Sequence, residues 1–151
     1  LTAMCDHCGC HEFPPIAELT AEHETILALG WQLASITHQD AVDDPSRDQL
    51  LRLLDAHVTK EETGLYPLLR AVGDLSATAA EALEHEHRAI REVLTAEMFD
   101  RRDYFALAAH IEAEETDLFP IAMFAFDDEL WEQMQVAHHR VTVAPTPTSV
   151  D

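Results

Sequence analysis

One eleven-residue segment occurs twice in this chain, and it limits the fold more than any other feature. His57-Val-Thr-Lys-Glu-Glu-Thr-Gly-Leu-Tyr-Pro67 aligns without a gap to His110-Ile-Glu-Ala-Glu-Glu-Thr-Asp-Leu-Phe-Pro120, with six of the eleven positions identical. Each copy sets a His and a Glu four residues apart, which places both on one face of a helix. That face is otherwise apolar: Leu50, Leu54 and Leu65 share it in the first copy, Leu107 and Leu118 in the second. A buried ionised Glu without a partner is costly, or it takes up a proton. Two core-facing glutamates, each one helical turn after a histidine, therefore need something positive between them.

The rest of the chain is organised around this duplication. Leu19-Thr-Ala-Glu-His23-Glu-Thr-Ile26 aligns to Leu83-Glu-His-Glu-His87-Arg-Ala-Ile90 at Leu, Glu, His and Ile. A first helix carries Ile16, Leu19, His23, Ile26, Gly30 and Leu33 on one stripe and runs to about His38. Gln39 to Pro45 forms a polar turn before the helix of the first repeat, which Gly73-Asp74 closes. Ser76 caps a third helix, with Ala80, Leu83, His87, Ile90 and Leu94 on its stripe. After a polar turn around Asp100 to Asp103 comes the helix of the second repeat. Asp127-Asp128 opens a shorter fifth helix through Leu130, Met134 and Ala137. The expected fold is all-α, an antiparallel up-down-up-down four-helix bundle with a short extra C-terminal helix. Residues 16–140 form this bundle, 1–15 an N-terminal Cys/His-rich tail and 141–151 a disordered tail. Pro67 and Pro120 are expected to kink or end their helices beyond the glutamates.

Two helical hairpins of this kind, packed about a pseudo-twofold axis, bring His23, His57, Glu61, His87, His110 and Glu114 to the bundle centre. Six mixed nitrogen and oxygen donors suit two hard-to-borderline cations bridged by carboxylates. A structural zinc would take fewer ligands and more sulfur. A single core-facing His is usually just a hydrogen-bonded core residue, but a duplicated set on four apolar faces reverses that reading.

The order His, His-x-x-x-Glu, His, His-x-x-x-Glu, with Glu-Glu-x-x-Leu-aromatic-Pro after each pair, resembles the hemerythrin-like (HHE cation-binding) domain family over about Ile16 to Phe126. The resemblance implies a four-helix bundle holding two iron ions, oxo- or hydroxo-bridged as well as carboxylate-bridged. It makes His23, His57, His87 and His110 terminal ligands, and Glu61 and Glu114 bridges. Members of the family include oxygen carriers, oxygen, iron or redox sensors, nitric-oxide-responsive proteins and peroxide-decomposing enzymes. One departure bears on the choice among these. Oxygen-carrying hemerythrins place a His-x-x-x-His pair on the third helix, whereas here the positions four residues either side of His87 are Leu83 and Arg91. His85 lies about 200° around the helix from His87 and is expected to face outward. Four histidines rather than five weaken reversible oxygen carriage and favour open-site chemistry.

The neighbouring groups have plainer expectations. Tyr66, Tyr104 and Trp31 read as ordinary core or surface aromatics. Glu22, Glu62, Glu86 and Glu115 adjoin the ligand-type residues and are candidates to accept the second N–H of an imidazole. Most of them are expected on solvated faces instead. At the N-terminus, Cys5, His7, Cys8, Cys10 and His11 offer five soft or borderline donors in seven residues. They are read as a second metal site for zinc, copper or iron, a redox-active dithiol, or a flexible tail with reactive thiols. His138 and His139 are candidates to complete that site, against the plainer reading of a solvated helix end.

Composition excludes more than it selects. With 29 acidic and 9 basic side chains the formal net charge is −20, which argues against nucleic acid and an anionic membrane surface. No apolar run approaches the roughly 18 residues of a membrane span, and no signal peptide is evident, so the expected location is cytoplasmic. The expected function is a di-iron centre that binds or reacts with dioxygen, peroxide or nitric oxide. Whether it acts as an enzyme, for instance in catalase-like peroxide decomposition, stays open. The alternative is a sensing module that signals to a protein partner through the Cys/His segment.

Overall fold

The computed structural model describes residues 13–36, 45–96 and 98–141. The Cys/His tail, the turn from Gln39 to Asp44 and the C-terminal tail after Val141 lie outside the described residues. Helix α1 spans Pro14–Ser35, its two leading prolines supplying the fixed φ that suits a first helical turn. Helix α2 begins with Pro45–Lys60, passes through π-helical Glu61–Leu65 and continues as Tyr66–Ala71. Gly73, at φ 83°, lets its N–H and that of Asp74 turn back onto Arg70 and Leu69 and end the helix. Helix α3 is Ala77–Thr95, with the Ser76 hydroxyl accepting from the Ala79 N–H at 3.0 Å.

Helix α4 repeats the plan of α2: Arg101–Ala113, π-helical Glu114–Leu118, then Phe119–Ala125. It starts within the segment expected as a turn, because Asp100 and Asp103 form a reciprocal capping box. Helix α5, Asp128–His139, is capped by Asp127. α1 packs on α2 and α4, α3 packs on the same two, and α5 lies against α1 and the π-turn of α2. The chain is thus an all-α four-helix bundle with an added C-terminal helix.

Pro67 and Pro120 do not end their helices. Proline lacks an N–H, and its ring crowds the carbonyl four residues back. In each repeat the residue before the proline, Tyr66 or Phe119, donates its N–H five residues back to Glu61 or Glu114. The wider π-turn absorbs the proline, and the helix runs on.

The apolar core is in two parts. Ile16, Leu19, Leu65, Leu69, Phe119, Ala122 and Met134 anchor one, and Ile26, Leu33, Leu50, Leu54, Ile90, Leu94 and Leu107 the other. His23, His57, Glu61, His87, His110 and Glu114 fill the layer between them, and all six are buried. Among the described residues, no helix is long and apolar enough to cross a membrane.

Candidate metal centre

The six residues come from the buried stripes of four helices: His23 from α1, His57 and Glu61 from α2, His87 from α3, His110 and Glu114 from α4. They form two overlapping groups, His23, His57, Glu61 and Glu114, and Glu61, His87, His110 and Glu114. Within each group one donor atom per residue lies within 4.8 Å of all the others. Both glutamates belong to both groups. Glu61 Oε1 is 3.3 Å from His57 Nε2 and 3.3 Å from His87 Nε2, while Glu61 Oε2 is 3.9 Å from His23 Nε2. Glu114 Oε1 is 3.1 Å from His110 Nε2 and 3.6 Å from His23 Nε2. Each carboxylate therefore faces imidazoles of both groups, as a bridge between two cations would.

Buried polar atoms are rarely left without partners. Here His23 Nε2, His57 Nε2, both oxygens of Glu61 and Glu114 Oε1 are buried and make no hydrogen bond. His87 Nε2 and His110 Nε2 point at each other across 2.9 Å. Unpartnered atoms converging from three helices, with the α3 and α4 imidazole nitrogens set against each other beside them, fit a pair of cations.

The opposite edge of each imidazole is also held. Nδ1 of His23 meets Glu115 at 3.0 Å, that of His57 meets Glu22 at 2.8 Å, that of His87 meets Glu62 at 3.2 Å and that of His110 meets Glu86 at 2.5 Å. All four remain partly exposed, as expected of solvated faces, yet each also holds an imidazole, a role expected for only some of them. In each case the acid comes from a different helix than the imidazole it meets, so helix-face arithmetic within one element could not reveal the pairing. An Nδ1–H fixed by a carboxylate leaves Nε2 as the inward lone pair.

The charges follow from this packing. Burial would lower the His57 pKa, but the nearby charge of Glu61 and the hydrogen bond that Glu22 accepts outweigh it and raise it to about 10. Burial likewise opposes the protonated form of His110, and Glu114 and Glu86 raise it to about 9. Glu61 is held well below the usual carboxylate range despite its burial, chiefly by the charge on His57. In the absence of a cation, protonated imidazoles thus balance the buried carboxylates.

Of the three aromatics, Tyr66 reaches the site. It is buried, donates its hydroxyl to Glu114 Oε2 at 2.9 Å and lies 3.4 Å from His87 Nε2. Burial and the charges of Glu61 and Glu114 push its pKa up, so it stays protonated. Its ring stacks on His87 at 5.9 Å, and its repeat mate Phe119 stacks on His23 at 5.5 Å without a hydroxyl. Trp31 and Tyr104 instead pair with each other at 5.1 Å. His85 is exposed, as expected. His138 is not a solvated helix end: it is buried, with Nδ1 3.1 Å from Glu18 Oε2, while His139 is exposed. Cys5, His7, Cys8, Cys10 and His11 lie outside the described residues.

A model of the hemerythrin HHE cation-binding domain matches residues 14–103, more than half of the chain. The chain belongs to that family. The matched stretch of this hemerythrin-type domain holds His23, His57, Glu61 and His87 and stops before His110 and Glu114. The second pair is supplied by the internal repeat and by its convergence on the same layer. No curated protein and no solved structure gives a significant match.

Proposed function

We propose that this protein holds two iron ions at the six-residue centre, and that the pair binds or reacts with a small oxygen or nitrogen species: dioxygen, peroxide or nitric oxide. The observation that carries the reading is the pair of overlapping donor groups that share both glutamates, with five of their donor atoms buried and unpartnered. Four imidazoles and two carboxylates suit borderline cations such as iron. His23 and His57 would hold one ion and His87 and His110 the other, with Glu61 and Glu114 common to both. When bound, the pair supplies the redox change that no side chain here can provide.

The chain supplies position, dryness and a proton-donating group. Glu22, Glu62, Glu86 and Glu115 fix the imidazole orientations. A void of about 10 Å³ lies against the donors, walled by Ile26, Leu54, Val58, Ile90, Leu107 and Ile111. That is the scale of one water-sized molecule, and the tight apolar wall suits small reactants. The Tyr66 hydroxyl, held on Glu114, is the one neutral O–H described among these donors. Peroxide decomposition is a reaction such a site can carry without an outside reductant, since two hydrogen peroxide molecules give one dioxygen and two waters.

A second reading, a sensor signalling through the N-terminal Cys/His segment, has one observation in its favour. That segment joins the described chain at Phe13, whose ring stacks 4.7 Å from Trp131 of α5. α5 in turn contacts the π-turn that begins at Glu61. On this reading Cys5, Cys8 and Cys10 with His7 or His11 bind a further zinc, copper or iron ion, and the change is passed to a protein partner.

Metal analysis of protein from iron-supplied cells, with spectra recorded under dioxygen, peroxide and nitric oxide, tests both. Two core equivalents that are lost in His57→Ala, with peroxide turnover that is lost in Glu61→Ala and Glu114→Ala, support the first reading. Fewer than two core equivalents, or metal content unaffected by His57→Ala, refutes it. Metal beyond two equivalents that disappears in a Cys5, Cys8 and Cys10 triple serine variant supports the second.

A further inference from the structure

The duplication sets out two equal halves, and the six donor residues obey it, but their surroundings do not. Lys60 stands where the second repeat has Ala113, and Glu18 where the aligned third helix has Ala82. The Lys60 ammonium is buried, donating to Glu18 Oε1 at 2.5 Å and also to Glu22 Oε2. The other oxygen of Glu22 meets Nδ1 of His57, and the other oxygen of Glu18 meets Nδ1 of His138 on α5. α1, α2 and α5 are thereby tied through Lys60 to one imidazole of the centre.

His110 is held differently. Its carboxylate, Glu86, is 52% exposed against 25% for Glu22, and Ala113 offers it no cation. The neighbouring imidazole of that group, His87, borders a surface cavity of about 220 Å³ between α2 and α3, lined also by Val58, Glu62 and Arg91. α5 covers the π-turn of α2 at Gly64, where an added Cβ would lie 3.4 Å from that of Ala137. The corresponding Asp117 of α4 is exposed.

We infer that the two cation positions are unequal, an inference that rests on the paired-iron reading. Lys60 is a positioning residue: through Glu22 it locks His57 and slows loss of the ion at the His23/His57 position. The His87/His110 position is the exchangeable one, and it is reached from the cavity between α2 and α3. An ion leaves when both imidazoles of its position swing away, so locking one of them is enough to slow release. His23 and His87, resting on similarly exposed Glu115 and Glu62, do not distinguish the two positions. A ring whose carboxylate is clamped by a buried ammonium swings less readily than one whose carboxylate exchanges with water. The positive charge of Lys60 by itself would favour loss of a nearby cation, so the sign of the effect separates clamping from plain electrostatics.

The test is release kinetics. Full-length protein loaded anaerobically with two equivalents of iron(II) is mixed with excess iron(II)-selective colorimetric chelator. Two phases of equal amplitude are expected. Lys60→Met accelerates the slow phase about tenfold, the low end for loss of a partner outside the ligand set, and leaves the fast phase unchanged. Lys60→Arg retains the slow phase, and Glu86→Gln accelerates only the fast one. Should Lys60→Met fail to fold, Glu18→Gln, which removes one of the two anchors, accelerates the slow phase instead. A single phase in the wild type, slower release in Lys60→Met, or equal acceleration of both phases overturns the inference while leaving the paired-iron reading intact. Binding of fewer than two equivalents overturns both.

Discussion

Loading the centre with iron should expel protons, and the structure says how many. In the metal-free protein His57 titrates near 10 and His110 near 9, because the buried carboxylates outweigh desolvation at both. At pH 7 both rings therefore carry their second proton almost completely. An imidazole must be neutral to ligate, so about two protons leave per loaded protein. Between about pH 7 and 9 the apparent affinity for the pair should rise about 100-fold per pH unit, two protons being linked to loading. Anaerobic calorimetry with iron(II), in buffers of equal pH and different ionisation enthalpy, reads the proton count directly from the slope of heat against buffer enthalpy. Release of less than one proton at pH 7 would refute the charge arrangement. Either the two imidazoles are neutral in the metal-free protein, or they are not the groups that take the metal.

The same raised pKa values govern metal-free stability with the opposite reading. A group raised in the folded state contributes stability that is complete below its unfolded pKa, about 6.5, and that is lost as pH rises through the folded value. Denaturant unfolding of metal-free protein should show stability falling between pH 7 and 10, and a flat profile there would contradict the pairing. Tyr66→Phe removes a buried donor from Glu114 and should destabilise the metal-free protein by about 1–3 kcal/mol; an unchanged melting temperature would show that the hydroxyl is not engaged. Gly64→Leu should force α5 away from α2 at a cost of about 1–3 kcal/mol, visible as faster amide exchange in Asp128–His139. Unaltered exchange would mean that the helices are not in close contact at Gly64.

Much of this molecule was legible in the sequence because its constraints are periodic. His23, His57, Glu61, His87, His110 and Glu114 each fall on an apolar stripe with a 3.6-residue repeat, and such a position can face only the core. Ser76 was readable as a cap and Asp127-Asp128 as the start of a helix, since that chemistry is local. What escaped was information held between helices. The bond of Glu22 to His57, or of Glu62 to His87, depends on how α1 meets α2 and α2 meets α3. A carboxylate beside an apolar stripe looks the same whether it meets water or an imidazole of the next helix. His138 was misread for that reason: its partner, Glu18, is 120 residues away. The prolines were read from local chemistry alone, which sets the cost of the ring and says nothing of the π-turn that absorbs it.

Those π-turns carry a consequence for how the chain tolerates change in length. A π-turn is in effect one residue inserted into an α-helix, so α2 and α4 are each two helices of different angular phase joined at the centre. Upstream of the join the phase is fixed by His57 and Glu61, or by His110 and Glu114. Downstream it is fixed by Tyr66 and Leu69, or by Phe119 and Ala122. Removing one residue between Glu62 and Leu65 would convert the π-turn to an α-turn and keep the two halves in register. Tyr66 would stay on Glu114 and Leu69 in the core, but the Pro67 ring would be set against the carbonyl four residues back. Substitutions test what a side chain contributes here, but a single-residue deletion would test whether the π-turn serves to absorb the proline.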